Sequence, residues 1–171
     1  GYIEMLLSAA TALKPDSRPI LEDVTIQDTL VLPAEDAVTL QAVLTPQPDG
    51  GAQVKIYSTR NSAADGGDWQ LHAYANISTA SHPDEAPSGL EAARAVCVEP
   101  RNVSDYYQSL AHMGMDYGPA FQNIRELWHG TGQVLARVEL ADSLPSNGYS
   151  LHPALLDACL QTVAAAFPAS T

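Results

Sequence analysis

Apolar side chains recur at helical spacing in the opening GYIEMLLSAATAL, where Ile3, Leu6, Leu7, Ala10 and Leu13 form one stripe and Pro15 closes the segment. The period then changes to two. Val38, Leu40 and Ala42 alternate with Thr39 and Gln41, Val54 and Ile56 with Lys55 and Tyr57, and Trp69, Leu71, Ala73, Ala75 and Ile77 with Gln70, His72, Tyr74 and Asn76. This pattern predicts half-buried antiparallel strands between Leu21 and Ser78, separated by turns at residues 46–51 and 61–67, whose Pro, Asp and Gly suit reversals. The expected first unit is a helix followed by a meander.

From about Thr79 to Glu91 the chain turns to Ser, His, Pro, Asp, Glu and Gly without a sustained apolar period, as a linker does. The expected organisation is therefore a first unit over 1–80, a linker over 81–98 and a second unit over 99–171. In the second unit a short helix over 104–112, capped by Ser104 and closed by Gly114, precedes strands near 121–129 and 134–140. A Pro/Ser/Asn/Gly loop at 144–150 leads into a last helix. No short-period repeat is present, but an apolar helix at each end, each suited to pack on a sheet, suggests two related units.

Composition narrows the functions. The 171 residues are 46% hydrophobic, enough for a buried core, and 20 acidic against 8 basic residues give a net charge of −12. An acidic surface excludes an electrostatic grip on nucleic acid or an anionic membrane. No apolar run approaches a membrane span and no basic-then-apolar signal opens the chain, so a cytoplasmic location is the expectation. Cys97 and Cys159 are too few and too far apart to suggest a disulfide framework or a metal site, and Cys159 is expected on a buried apolar helix face.

The richest segment is LHPALLDACLQ, residues 151–161. Pro153 suits the first position of a helix, so a helix is expected to begin near His152. Leu155, Leu156, Cys159, Leu160 and Val163 then recur at helical spacing, with Asp157 and Gln161 at i and i+4 on a neighbouring face. A carboxylate on so apolar a helix is either exposed, favoured by the helix dipole near the N-terminus, or employed in chemistry.

Taken in order, GYIEMLLSA, MDYGPAFQ (115–122) and LHPALLDACLQ resemble the dehydratase domains of modular polyketide synthases, over essentially the whole chain. The resemblance implies an α+β fold of two hotdogs, each an antiparallel sheet wrapping a long helix, with both halves incomplete. It implies elimination of water from a 3-hydroxyacyl thioester on an acyl carrier protein, giving an enoyl thioester, with no cofactor and no metal. Such a reaction needs a base for the proton alpha to the carbonyl, an acid for the departing hydroxyl and donors for the developing enolate oxygen. Asp157 matches the family's acid, a role that requires burial to raise its pKa; Gln161 and Tyr117 match residues that hydrogen-bond and orient it. Implied partners are the carrier with its phosphopantetheine-linked chain, neighbouring synthase domains and a second copy in a homodimer.

The family's histidine lies in an H-x-x-x-G-x-x-x-x-P motif that precedes the segment matched by GYIEM, and the 171 residues do not contain it. None of His72, His82, His112, His129 or His152 matches that position, so the chain by itself is expected to be inactive. His152 is read as a helix-entry residue or a lining of the substrate channel, and Gly118 and Pro119 as turn residues beside that channel. Glu4, Ser8 and Ala9 are expected to serve packing and solvation, and Arg94, Arg101 and Arg125 to be solvated surface. Two other readings stand beside dehydration: a relative that shifts a double bond or closes a ring on the same scaffold, and a non-catalytic structural or interaction fragment of a megasynthase.

Overall fold

A computed structural model describes residues 1–13, 15, 18–60, 68–78 and 89–167. The chain divides into two compact units, Gly1–His82 and Pro83–Thr171, each with its own core. Antiparallel sheets and helices make it α+β.

In the first unit, helix α1 (Tyr2–Leu13) is followed by strands β1 (Ile20–Ile26), β2 (Thr39–Pro46), β3 (Ala52–Thr59) and β4 (Gln70–Ser78). The strand order is β1-β4-β3-β2, so only the last three strands run as a meander and β1 pairs antiparallel with the far side of β4. Leu6 and Ala10 of α1 pack on Val54 and Ile56 of β3 and on Ala75 and Ile77 of β4. The helical stripe is rotated from the expected one: Tyr2, Met5 and Ala9 flank this core, while Leu13 is 45% exposed. Alternation buries Val54 and Ile56 as expected, but on the edge strand β2 Leu40 remains exposed.

One register slip matters. Ile56 pairs with Ala73 and Tyr57 with Leu71, so His72 is an extra residue on β4, a bulge that turns it inward beside Ala73. Strict alternation puts His72 on the polar face; in the structure it is 2% exposed.

The second unit holds helix α2 (Leu90–Val96), strand β5 (Glu99–Arg101), helix α3 (Val103–His112), a 3-10 turn (Pro119–Phe121), strands β6 (Ile124–Gly130) and β7 (Gln133–Val138), and helix α4 (Pro153–Ala165). Its sheet has the order β5-β6-β7. Tyr106, Tyr107 and Leu110 of α3 meet Ile124 and Leu127 of β6 and Ala158 and Ala165 of α4.

Three local expectations are corrected. Residues 81–98 are not all linker: α2 occupies Leu90–Val96, and Cys97 behind it is buried, while residues 79–88 lie outside the described ones. Asn102, not Ser104, caps α3, its side chain accepting from the Asp105 N–H at 3.2 Å. The strand expected from Phe121 starts at Ile124, because Pro119 initiates the 3-10 turn. Gly114 does close α3: at φ +86° it donates to the Ala111 carbonyl, and the Met115 N–H reaches back to the Leu110 carbonyl, both at 2.9 Å.

Candidate functional site

Helix α4 begins at the expected place. His152 is its N-cap, with Nδ1 accepting from the Ala154 N–H at 3.1 Å, and Pro153 occupies the first helical position. The His152 ring also stands edge-on to Tyr149 with centroids 4.6 Å apart, which gives the side chain a full structural role at the helix entry.

The face that α4 buries differs from the one its leucines suggest. Ala154, Ala158, Gln161 and Ala165 are buried, whereas Cys159 is exposed and Leu160 and Val163 are 61% and 54% exposed. Small side chains let the helix approach β6 and β7 closely, and that close face carries Gln161. Asp157 lies beside it, half-buried.

Gln161 is 5% exposed and all its side-chain hydrogen-bonding groups are engaged. Its Nε2 donates to Asp157 Oδ2 at 2.6 Å and to the Phe121 carbonyl at 3.0 Å; its Oε1 accepts from the Tyr107 hydroxyl at 3.0 Å. The Tyr107 oxygen accepts in turn from the Ile124 N–H at 3.2 Å, and the Tyr106 hydroxyl donates to the Gln161 main-chain carbonyl at 2.6 Å. Burial raises the pKa of Tyr107; the Ile124 N–H and Arg125 oppose the rise, and the Asp157 charge and Tyr117 add to it. Burial likewise raises that of Tyr106 against the opposing charge of Arg101, which lies over its ring at 5.7 Å. Both phenols are thus held as neutral hydrogen-bond donors.

The structure brings Asp157 and Gln161 together and leaves Tyr117 one step away. Tyr117 makes no hydrogen bond to Asp157; its ring stands edge-on to Tyr107 at 6.3 Å, and it lines with Tyr107 a cavity of about 380 Å³ between α3 and the start of β6. Gly118 and Pro119 are exposed and shape the 3-10 turn that presents the Phe121 carbonyl to Gln161. Tyr107 was not signalled as a site residue by sequence, because its contact with Gln161 spans 54 positions.

Asn123, also missed, holds the frame. It is fully buried, its Oδ1 accepts from the Ala141 N–H at 2.9 Å, and its Nδ2 donates to the Ala120 carbonyl at 2.9 Å and toward the Ala154 carbonyl at 3.5 Å. It therefore ties the 3-10 turn to the loop after β7 and to the first turn of α4.

No described histidine hydrogen-bonds Asp157. His112 is exposed, His129 approaches the Ala165 carbonyl and Arg101, His72 belongs to the first unit, and His82 lies outside the described residues. Among the described residues no group of three or more His, Cys, Asp or Glu side chains is placed to hold a metal ion, and no helix is long and apolar enough to cross a membrane.

A helix on an antiparallel sheet in each unit, with a buried amide presenting one carboxylate, is the setting in which likeness to known proteins becomes informative. The chain belongs to the polyketide synthase dehydratase domain family: the family described as polyketide synthase dehydratase N-terminal domain matches residues 85–171, and that described as polyketide synthase dehydratase domain matches residues 1–59. Among solved structures, the dehydratase domain from the CurF module of curacin polyketide synthase is 31% identical at TM-score 0.85, over 99% of this chain and 61% of that one. The dehydratase domain from the CurK module is 32% identical at TM-score 0.82, over 96% and 57%. These likenesses make the fold a double hotdog. Polyketide synthase GfsE of Streptomyces halstedii is 36% identical over 94% of this chain, and erythronolide synthase EryA2 of Saccharopolyspora erythraea is 31% identical over 85%. The chain spans about 4% of the length of those synthases and less than two thirds of the solved domains.

Proposed function

We propose that these residues form part of a dehydratase that eliminates water from a 3-hydroxyacyl thioester, carried on the phosphopantetheine arm of an acyl carrier protein, to give an enoyl thioester. Asp157 is the general acid: it protonates the departing hydroxyl as the C–O bond breaks, while a histidine base removes the alpha proton and the electron pair forms the C=C bond. The histidine comes from a motif that the 171 residues do not contain. The observation that carries this reading is the Asp157 carboxylate held by the fully engaged Gln161 amide at 2.6 Å. Support also comes from the CurK domain, whose aspartate-to-asparagine and histidine-to-phenylalanine variants are both inactive. Gln161 orients the acid, and Tyr117 with Gly118 and Pro119 borders the approach to it. The carrier and neighbouring synthase domains are the natural partners, since tethering raises effective concentrations to the millimolar range and makes a weak carrier contact sufficient.

The test is turnover of a 3-hydroxyacyl pantetheine thioester by the complete dehydratase domain that contains these residues. Asp157→Asn is expected to lower kcat by about 100-fold or more. Retained turnover in that variant would sink the assignment of Asp157. Enoyl product separates dehydration from double-bond migration or ring closure, and a complete domain without turnover on any such substrate would leave the non-catalytic interaction module as the reading.

A further inference from the structure

The hydrogen bonds around Gln161 have a direction, and that direction reaches the two oxygens of Asp157 differently. A carboxamide can face either way, with oxygen and nitrogen exchanged, and only its partners decide. Here the Phe121 carbonyl can only accept, so it must face the Gln161 NH₂ group, at 3.0 Å. Oε1 is thereby turned to the Tyr107 hydroxyl, which must supply the proton of the 3.0 Å bond between them. The Tyr107 oxygen is itself held at 3.2 Å by the Ile124 N–H, which can only donate. A main-chain donor at one end and a main-chain acceptor at the other thus set the polarity of the whole chain of bonds. The second NH₂ hydrogen is delivered to Asp157 Oδ2 at 2.6 Å, while Oδ1 has no hydrogen-bond partner among the described residues.

We infer that Tyr107 is a positioning residue that locks the facing of the Gln161 amide, so that Oδ2 of Asp157 is kept as an acceptor and the transferable proton resides on Oδ1. This rests on the proposed role of Asp157 as the acid and adds which of its atoms reacts and what selects it. An oxygen that receives an N–H bond is the poorer site for a proton, because the proton would oppose the incoming donor. The proton of the neutral acid is thus directed to the oxygen turned away from Gln161. The titratable and charged groups facing this chain of bonds are Tyr117 and Arg125 beside Tyr107, and Arg101 beside Tyr106.

The test is the titration of the Asp157 carboxyl, followed by carbon-13 NMR in the complete dehydratase domain, in the native protein, Tyr107→Phe, Gln161→Ala and the double variant. Loss of a donor that favours the ionised form moves the midpoint upward, so Tyr107→Phe is expected to raise it by roughly 0.5 units. Gln161→Ala is expected to raise it by roughly 1 unit, and adding Tyr107→Phe to Gln161→Ala should then change nothing further. An unchanged midpoint in Tyr107→Phe, or shifts that add in the double variant, would overturn the inference. Should Tyr107→Phe fail to fold, Gln161→Glu keeps Tyr107 and replaces the donor by a second acceptor, and its failure to raise the midpoint would overturn the inference equally. Activity reads the other claim: kcat of Tyr107→Phe is expected to fall several-fold with KM unchanged. A midpoint that moves as predicted while Asp157→Asn retains turnover would keep the positioning role and remove only the catalytic reading.

Discussion

Gln161 stands one helical turn beyond Asp157 on α4 and binds its Oδ2 at 2.6 Å, and the same side chain is held by contacts to α3 and to the 3-10 turn. Removing it therefore affects two properties. Gln161→Ala leaves the buried Tyr107 hydroxyl and the part-buried Phe121 carbonyl without their partner, and is expected to destabilise the domain by about 1–3 kcal/mol in urea denaturation. In the complete dehydratase domain the same change is expected to lower kcat by about 10–100-fold, as loss of a contact that orients a reactive group does. A drop in stability without a drop in kcat would reduce Gln161 to a packing residue.

Asn123 fixes the 3-10 turn that presents the Phe121 carbonyl to Gln161. Its fully buried amide joins the 3-10 turn to the Ala141 N–H, at 2.9 Å on each side. Asn123→Ala leaves a half-buried main-chain donor, the Ala141 N–H, and a half-buried main-chain acceptor, the Ala120 carbonyl, without their partner, so a loss of about 1–3 kcal/mol is expected. Hydrogen exchange should locate the damage, with the Ala141 amide losing protection first. Full protection of that amide in the variant would contradict the role given to Asn123.

The two phenols of α3 make the second unit sensitive to alkali. Burial raises both pKa values above 10.0, so each group favours the folded state while it is protonated. That contribution is complete below the unfolded value near 10 and is lost as pH rises through the raised folded values. Absorbance at 295 nm is expected to show Tyr106 and Tyr107 ionising late and together with unfolding of the unit. Tyr106→Phe with Tyr107→Phe should remove most of that late phase, leaving only Tyr2, whose pKa burial also raises, and a late phase of unchanged amplitude in the double variant would refute the assignment.

What was legible in the sequence was local. The start of α4 at His152 follows from Pro153 at the first helical position, and the Asp157–Gln161 pair follows from helical spacing. Val54, Ile56, Ala75 and Ile77 follow from alternation on β3 and β4. What was not legible depends on a distant partner. Leu160 and Val163 look like a core face until the close approach to β6 and β7 selects Ala158, Gln161 and Ala165. Likewise the bond from Tyr107 to Gln161 joins positions 54 apart, and no periodicity within α3 singles out that hydroxyl.

Gly130 marks a close approach between β6 and the end of α2. A Cβ there would sit 2.8 Å from both the Val96 carbonyl oxygen and a Val96 methyl, and the carbonyl belongs to backbone that cannot rotate away. Gly130→Ala is expected to cost about 1–3 kcal/mol through overpacking. The adjacent Cys97, 3% exposed, should then react faster with a thiol reagent as α2 is pushed outward. Unchanged stability and thiol reactivity would show that α2 yields freely at this point.

The bulge that turns His72 into the first unit predicts its protonation pattern. The Asp28 carbonyl, 3.4 Å from Nδ1, can only accept, so the ring carries its proton on Nδ1. Nε2 is then the acceptor for the Ser58 hydroxyl at 2.7 Å, and both side chains are buried. Nitrogen-15 NMR is expected to find Nδ1 protonated and Nε2 of the unprotonated type; the opposite tautomer would reverse the assignment. Ser58→Ala leaves Nε2 buried without a donor, whereas replacing both residues removes the need for one. A double-mutant cycle between Ser58→Ala and His72→Phe is therefore expected to return a coupling of about 0.5–1.5 kcal/mol, and additive losses would mean that the bond contributes nothing to the fold.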